Sequence, residues 1–381
     1  MQHNSSPYSR QTLLMNQNNP SSHQTSSSFI MLAPMEGIID YTMREIFSAI
    51  GGIDRLVTEF IRINDKTLPK RVFKRYCPEL SDEYCESQGK NKSFQANNTP
   101  VYVQLLGDKP EVLATNAFKV QKMGAAGIDL NFGCPSKVVN RSCGGSYLLQ
   151  WPDKLYNIVH TVRSYVDKDT PVTAKVRLGF QDKSLAQEII NACAEAGAAE
   201  IAIHARTKVE GYKPPAHWHL IAKLKQTIRA QGIDTPIIAN GEIWNLHDLE
   251  SCVTQSECSR IMIGRGLVAC PDLARLAKDP SHEAMNYCDS LLLLNYYFSL
   301  LGQRCDEKYR HSLIKQWLVY LRIQYPQYHL LFNTVKRIKN SDIMEQNLLA
   351  ALQCELANQG NGAKLRQSIG GLDLRSYIER L

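Results

Sequence analysis

The sequence predicts an α/β protein in which a (β/α)8 TIM barrel is followed by a small all-helical domain. Eight short apolar segments recur between residues 30 and 263, and most gaps between them can hold a crossover helix. Most of these segments are continuously apolar, as strands covered on both faces are. After about residue 280 such segments stop, and the apolar residues follow helical spacing.

The eight predicted strands are Ile30–Leu32, Leu56–Phe60, Val101–Leu105, Ile128–Asn131, Val172–Val176, Glu200–Ile203, Pro236–Ala239 and Arg260–Ile263. Helical spacing between them predicts helices over Asn116–Met123, Asp153–Val166, Leu185–Ala196 and Trp218–Ala230. Eight βα units within about 250 residues are typical of a closed barrel. A doubly wound sheet is the alternative, but no Gly-x-Gly-x-x-Gly motif follows the first strand.

Composition predicts four regions: a disordered polar tail over residues 1–28, the catalytic barrel over 29–280, a helical domain over 281–350 and a C-terminal extension over 351–381. The tail holds eight Ser, four Asn and four Gln, too little apolar surface to offset the entropy of ordering. The polar stretch Pro78–Thr99 is predicted to be a surface insertion.

The predicted C-terminal helices are Leu291–Leu301, Tyr309–Tyr325 and Gln327–Ile338, with Pro326 at a helix boundary. Residues 355–371 are rich in Gly, Asn and Gln, which predicts a poorly ordered linker. A short helix is predicted over Leu374–Leu381.

Composition also limits the class of protein. The 381 residues are 44% hydrophobic and 21% charged, as in ordinary globular proteins. The 11 cysteines include no Cys-x-x-Cys pair, so we expect reduced thiols and no metal site. No apolar run approaches the ~18 residues of a membrane span. We therefore expect a cytoplasmic monomer, and the net charge of +7 permits a polyanionic partner.

Two glycine-containing motifs follow the seventh and eighth strands: Asn240-Gly241-Glu242 and Gly264-Arg265-Gly266. In TIM barrels these loops and a following helix N-terminus often bind phosphate. Glycine lets backbone N–H groups approach an anion, and arginine adds positive charge. The alternative is a pair of glycine turns that only close loops, but their place in the barrel favours a phosphate site.

Other titratable residues lie at the same predicted rim. Lys175 could neutralise an anion on a bound cofactor, and His204 could donate to a phosphate or ring oxygen. Alternatively, they are an ordinary surface lysine and a capping histidine. Cys134 follows an apolar strand, in a turn that would hold the thiol at the barrel mouth as an acid or nucleophile. A buried structural cysteine is the alternative, but the neighbouring Asn131 favours a functional thiol.

The helical region carries a basic segment. Residues 301–340 hold eight Lys or Arg and two acidic residues, a net charge of +6. Lys308, Lys315 and Arg322 recur every seven residues and therefore form one stripe on a helix. Such a stripe can bind phosphates of a nucleic acid. The alternative is a solvated helix face.

Taken together, the motifs resemble those of the tRNA-dihydrouridine synthase family from about residue 30 to 340. They are Ala33-Pro34-Met35-Glu36-Gly37, Asn131-Phe132-Gly133-Cys134-Pro135-Ser136-Lys137, Lys175-Val176-Arg177-Leu178-Gly179, His204-Ala205-Arg206-Thr207, Asn240-Gly241-Glu242-Ile243-Trp244 and Gly264-Arg265-Gly266. The first motif, the Asn-Gly-Glu-Ile-Trp run and Ile314-Lys315-Gln316-Trp317-Leu318 resemble the bacterial C-type subfamily, which modifies uridine 16.

The resemblance implies an FMN-dependent enzyme that uses NADPH to reduce the C5–C6 bond of a D-loop uridine in tRNA. It assigns FMN binding to Pro34, Met35, Glu36, Gln104, Lys175, His204, Asn240, Glu242, Gly264 and Arg265. It implies that Cys134 protonates uracil C5, and that Asn131 and Arg177 hold the flipped-out uracil. This division of labour is reasonable, because a cofactor carries hydride chemistry and a base must leave the stack to be reached.

The sequence departs from the family at Cys143 and Ser146, where Gly and Ala are usual. Two rival functions remain open. An FMN-dependent reductase of free pyrimidines, related to dihydroorotate dehydrogenases, would share the barrel but would not need the basic helical region. A non-catalytic tRNA-binding barrel would not need Cys134 or Lys175.

Overall fold

The computed structural model describes residues 28–89, 91–95, 98–141, 143–358, 367–369, 372–374 and 377. The chain divides into two compact units. The first comprises Ser27–Ser48 and Ile53–Gly264, and the second includes Ala49–Gly52 and Arg265–Leu381. Apart from Ser28, the predicted tail lies outside the described residues.

The first unit is a closed barrel of parallel strands, so the predicted fold class is confirmed. Its strands are β1 (Phe29–Leu32), β2 (Arg55–Val57), β3 (Ile61–Arg62), β4 (Val101–Leu106), β5 (Ile128–Asn131), β6 (Val172–Arg177), β7 (Ile201–His204), β8 (Ile237–Asn240) and β9 (Arg260–Ile263). Strand β1 pairs with β2 and β9, and β2 and β3 both pair with β4. Because β2 and β3 share one position, the barrel has the eight strand positions that the sequence predicts.

The second predicted strand, Leu56–Phe60, is wrong in its extent. Strand β2 ends at Val57, although the Thr58 N–H still donates to the Tyr102 carbonyl at 2.9 Å. The Thr58 hydroxyl donates to the Glu59 carbonyl at 2.8 Å, and the regular ladder stops there. The sequence could not reveal this break because the apolar pattern continues through it.

Helices cover the barrel strands. They are α1 (Tyr41–Ile50), α2 (Lys70–Tyr76), α3 (Asp82–Gln88), α4 (Pro110–Lys122), α5 (Lys137–Arg141), α6 (Pro152–Tyr165), α7 (Ala186–Glu195), α8 (Trp218–Ala230) and α9 (Leu246–Ser256). Helix α8 has its predicted bounds. Helix α4 begins six residues before the predicted Asn116, because a proline in the first turn needs no N–H partner.

The prediction that Pro78–Thr99 is only a surface insertion is wrong. Glu79 is fully buried and forms an ion pair with Arg44 of α1, at 2.9 Å from the Arg44 Nε. The Gln95 side chain also donates to Glu79, at 2.8 Å. Removing one partner of a buried ion pair typically lowers the free energy of unfolding by about 3–5 kcal/mol. The segment is therefore anchored in the core at these points, which its polar composition concealed.

The second unit is mainly helical in its described part. Its helices are α10 (Arg265–Ala269), α11 (Leu273–Lys278), α12 (Tyr287–Arg304), α13 (Glu307–Gln324), α14 (Tyr328–Val335) and α15 (Ser341–Asn358). Helix α12 starts with a capping box formed by Asn286 and Asp289. Buried Trp317 lies edge-on to Tyr297 at 5.0 Å and donates to the Val268 carbonyl at 3.0 Å.

The sequence analysis missed α15, which crosses residue 350 and ends inside the predicted linker 355–371. Buried Leu348 and Leu352 lie on its inner face, and the Asn295 amide donates to the Leu348 carbonyl at 3.2 Å. Two short strands, β10 (Ser368–Ile369) and β11 (Leu372–Asp373), pair antiparallel. Of the predicted helix Leu374–Leu381, only residues 374 and 377 are described. No helix in the described ranges is long and apolar enough to span a bilayer.

Candidate active site at the barrel mouth

The register of the barrel brings the predicted site residues side by side at the carboxyl ends of the strands. Asn131 on β5 is aligned with Lys175 on β6. Arg177 at the end of β6 is aligned with His204 at the end of β7, which in turn is aligned with Asn240 at the end of β8. This is the end of the barrel where TIM-barrel enzymes have their active sites.

Cys134 is half-buried in the loop after β5, and its peptide is held at both ends. The Cys134 N–H donates to the Asn131 Oδ1 at 3.0 Å. Its carbonyl accepts from the Ser146 N–H at 3.1 Å and from the Ser146 hydroxyl at 2.8 Å. Ser146, a departure from the usual Ala, thus adds a hydrogen bond. A Cβ on Gly145 would lie 3.1 Å from that of Cys134, so this glycine permits close packing.

The thiol is held in its protonated form. Burial raises the pKa of Cys134 above its usual value, and the carboxylate of Glu36 raises it further. Arg177 and Arg62 act in the opposite direction but do not reverse the shift. A thiol with a raised pKa keeps its proton at neutral pH and is therefore suited to act as an acid.

Lys175 places its amine in a partly buried position at the barrel mouth. Its amine donates to the Asn240 Oδ1 at 3.2 Å, which is a neutral partner. Burial, and then the charge of Arg177, lowers the pKa of Lys175 to about 8. A charge with so little compensation suits an acceptor-rich or anionic ligand group.

Arg177 braces the loop that carries the thiol. Its Nε donates to the Gly133 carbonyl at 2.8 Å, and its Nη1 donates to the Thr207 and Gly211 carbonyls at 3.2 and 3.0 Å. The guanidinium also lies 5.3 Å from the ring centre of Tyr212. Because the side chain is only 3% exposed, these contacts fix its position. Its contact with uracil stays a prediction.

The predicted ring and substrate contacts of Gln104 and Asn131 also stay predictions. Gln104 is fully buried, and the Asn131 amide donates to its Oε1 at 2.7 Å. The Gln104 amide in turn donates to Asp129 at 2.6 Å. Asp129, on β5, was not among the predicted site residues because a single acidic residue in an apolar strand carries no motif of its own.

The loop after β7 contains a guanidinium that the sequence analysis also did not select as a site residue. Buried Arg206 forms an ion pair with Glu242, whose other oxygen accepts from the Trp244 indole at 2.9 Å. The Arg206 Nε donates to the Pro215 carbonyl at 3.1 Å, but its Nη1 has no hydrogen-bond partner among the described residues. A buried donor without a partner is costly, so this atom is well suited to a bound oxygen ligand.

The loop after β1 lies against the end of β9. A Cβ on Gly264 would be 3.3 Å from the Met35 sulfur, so a larger residue here would have to displace the Met35 side chain by a few tenths of an ångström. Pro34 and Met35 are half-buried and Glu36 is exposed. Gly264 is the last residue of the first unit, and Arg265 begins α10 of the second. The carboxylate of Glu59, another residue that was not selected, accepts from the Gly37 N–H.

On α13 the predicted stripe exists, but its residues differ in their contacts. Lys308 is exposed and lies 3.5 Å from Asp306. Lys315 donates to the Ile338 carbonyl, and the Arg322 guanidinium lies 4.4 Å from the ring centre of Phe332. Since a carbonyl and an aromatic ring carry no net charge, these partners do not neutralise the positive charges of Lys315 and Arg322. No cluster of three or more potential metal ligands occurs within the described ranges.

Sequence comparison shows what class of protein has this barrel and site. The dihydrouridine synthase (Dus) family matches residues 31–354, and the chain belongs to this family. It is 44% identical over 315 residues to a Shewanella oneidensis protein named tRNA-dihydrouridine(16) synthase, covering 82% of this chain and 95% of that protein. Proteins of the same name from Ralstonia nicotianae and Aquipseudomonas alcaligenes are 40% and 42% identical over 87% and 84% of this chain, and over 98% of each relative.

Proposed function

We propose that this member of the family is an FMN-dependent tRNA-dihydrouridine synthase that reduces uridine 16 with NADPH as reductant. The observation that carries the proposal is the half-buried Cys134 thiol, whose peptide is held at both ends and whose pKa is raised by burial. An acid is needed at this position if a C=C bond of the substrate is reduced, because one carbon receives a hydride and the other must receive a proton. The relatives named for uridine 16 support the choice of nucleotide.

The side chains at the barrel mouth fit FMN. The Arg206 Nη1, which has no hydrogen-bond partner among the described residues, and the positive charge of Lys175 both suit an oxygen-rich, anionic group. We assign the ring to Pro34, Met35, Glu36, Gln104 and Lys175, and the ribityl phosphate to His204, Asn240, Glu242, Gly264 and Arg265. When bound, FMN supplies the hydride that is added to uracil C6 and is itself renewed by NADPH.

The protein residues then have separate tasks. Cys134 donates its proton to C5 of the uracil and is reprotonated from solvent. Lys175 provides positive charge where negative charge develops on reduction. Arg177 holds the loop that carries Cys134 and, with Asn131, positions the flipped-out base. The base must be extruded from the tRNA stack before the thiol can reach it.

We assign tRNA affinity to the basic surface of α13. The barrel mouth can accept one base, so most of the affinity must come from backbone phosphates elsewhere. Lys315 and Arg322 support this role because their partners leave their charges uncompensated, and exposed Lys308 extends the same stripe.

Two measurements test the proposal together. Purified protein should show a flavin spectrum and release FMN, and tRNA from cells that lack the gene should lose dihydrouridine at position 16 only. The purified enzyme with NADPH should restore it in that tRNA and leave free uridine unchanged. Full activity without flavin would contradict the cofactor, and an unchanged position 16 would contradict the substrate.

A further inference from the structure

Below the thiol loop, four buried polar residues form a continuous hydrogen-bonded chain. The N–H groups of Gly133 and Cys134 donate to the Asn131 Oδ1 at 2.9 and 3.0 Å. The Asn131 Nδ2 donates to the Gln104 Oε1 at 2.7 Å, and the Gln104 Nε2 donates to the Asp129 Oδ2 at 2.6 Å. The Thr173 hydroxyl donates to the other Asp129 oxygen at 2.5 Å. We call Asn131, Gln104 and Asp129 the relay.

The direction of the relay is fixed at its upper end. A backbone N–H group can only donate, so Asn131 must turn its oxygen toward the thiol loop and its NH₂ toward Gln104. Gln104 must then turn its oxygen toward Asn131 and its NH₂ toward residue 129. Two amides in series therefore require a hydrogen-bond acceptor at position 129, and the carboxylate of Asp129 meets that requirement.

Burial makes this requirement strong. Gln104 is fully buried, and Asp129 and Asn131 are 3% and 7% exposed, so water cannot readily replace a missing partner. Without an acceptor at position 129, the Gln104 amide would lose the hydrogen bond that fixes its orientation. A turned Gln104 would present its NH₂ to the NH₂ of Asn131, and the bond that holds the Cys134 peptide would weaken.

We propose that Asp129 is a positioning residue that fixes the peptide of Cys134 through Gln104 and Asn131. The inference rests on the proposed role of Cys134 as proton donor and adds the group that holds this donor in place. The hydrogen bonds of Asp129 reach Gln104 and Thr173, so its hydrogen-bonded link to the thiol loop runs through the two amides. The alternative is that Asp129 only satisfies polar groups in the barrel core.

The test measures how fast iodoacetamide alkylates Cys134 in the full-length protein as purified, by mass spectrometry of the peptide that contains it. Exposed Cys143 in the same loop serves as the internal reference. Asp129→Leu removes the acceptor at nearly constant shape and should speed alkylation of Cys134 roughly tenfold, the size expected for one buried hydrogen bond. Thr173→Val leaves the relay intact and should react like wild type.

Moving the carboxylate from residue 129 to residue 131 distinguishes a role in orienting the two amides from a role in core stability alone. Asn131→Asp places a carboxylate at each end of Gln104, so one contact must be lost. Because the added charge also raises the pKa of the thiol, alkylation rates are compared per thiolate, from their measured pH dependence, and the rate should again be faster. Adding Asp129→Asn reverses the whole relay. The new amide at position 129 would donate to Gln104, and Gln104 would donate to the new carboxylate at position 131, which would still accept from the loop. The double variant should therefore return to within about twofold of wild type, a coupling that a double-mutant cycle measures.

Two results would overturn the inference: Asp129→Leu with a wild-type alkylation rate, or a double variant no slower than Asn131→Asp alone. If Asp129→Leu does not fold, the Asn131→Asp pair decides. The assay needs neither uridine nor NADPH, so it remains valid if Cys134 proves not to be the proton donor. That separate question is settled by the activity of the Cys134 variant.

Discussion

The barrel mouth and the basic surface of α13 use polar side chains in opposite ways. At the mouth, Arg177 and Asn131 are buried and each makes short, directed hydrogen bonds that fix the thiol loop. On α13, Lys308 and Lys315 lie at or near the surface, and the proposed phosphate binding needs their charge more than an exact position. The chemistry of the mouth therefore depends on shifts of an ångström or less, whereas phosphate binding tolerates them. Single substitutions should have large effects in the first region and small ones in the second.

The largest effect is expected at the thiol. Cys134→Ala should lower the rate of uridine reduction about 10²–10⁴-fold, because general acid help is lost. Reduction of the flavin by NADPH should stay unchanged, since the thiol is not needed for that step. Single-turnover kinetics on unmodified tRNA measure the first rate, and stopped-flow absorbance measures the second. Cys143→Ala, in the same loop, is the matched control and should keep wild-type rates. A Cys134 variant within a few-fold of wild type would remove the thiol from the mechanism.

A smaller effect is expected at Glu59, which holds the loop after β1. Burial, and then the neighbouring carboxylate of Asp40, raises the pKa of Glu59 to about 6 from 4.5. Between these values the folded protein binds more protons than the unfolded chain, so the stabilisation present below pH 4.5 is lost as the pH rises through 6. Glu59→Gln keeps an acceptor for Gly37 and removes the titration.

The Glu59→Gln protein should therefore gain up to about 2 kcal/mol relative to wild type between pH 4.5 and pH 7. The check is the difference in Tm between the two proteins across this range, since other titrating groups are common to both. A difference that does not change with pH would show that Glu59 titrates normally and that burial does not raise its pKa.

The smallest effects are expected on α13. Lys315→Ala or Arg322→Ala should each weaken tRNA binding a few-fold and lower the slope of log affinity against log salt by roughly one. Flavin reduction by NADPH should not change. Lys122→Ala is the control, because Lys122 is exposed at the carboxyl end of α4, on the side of the barrel away from the mouth. If affinity and slope match wild type in both variants, the stripe is only a solvated face.

The comparison also shows which residues could be selected from the sequence and which could not. Residues at strand ends, such as Cys134 and Lys175, stand in motifs whose order along the chain matches the order of strands in the barrel. Asp129 and Arg206 could not be selected in this way. Their importance lies in partners distant in sequence, Gln104 and Glu242. Helix α15 was missed because its polar stretch after residue 350 hid the apolar contacts that hold it.

The sequence by itself determined the number and order of the barrel strands, the class of fold and which polar residues lie at the carboxyl ends of the strands. It could do so because each strand and each strand-end motif is a local pattern. Only the tertiary structure decided which side chains meet: the relay beneath Cys134, the ion pair between Arg206 and Glu242 and the ion pair between Arg44 and Glu79. Hydrogen-bond partners and burial depend on residues brought together by folding, and periodicity along the chain carries no record of them.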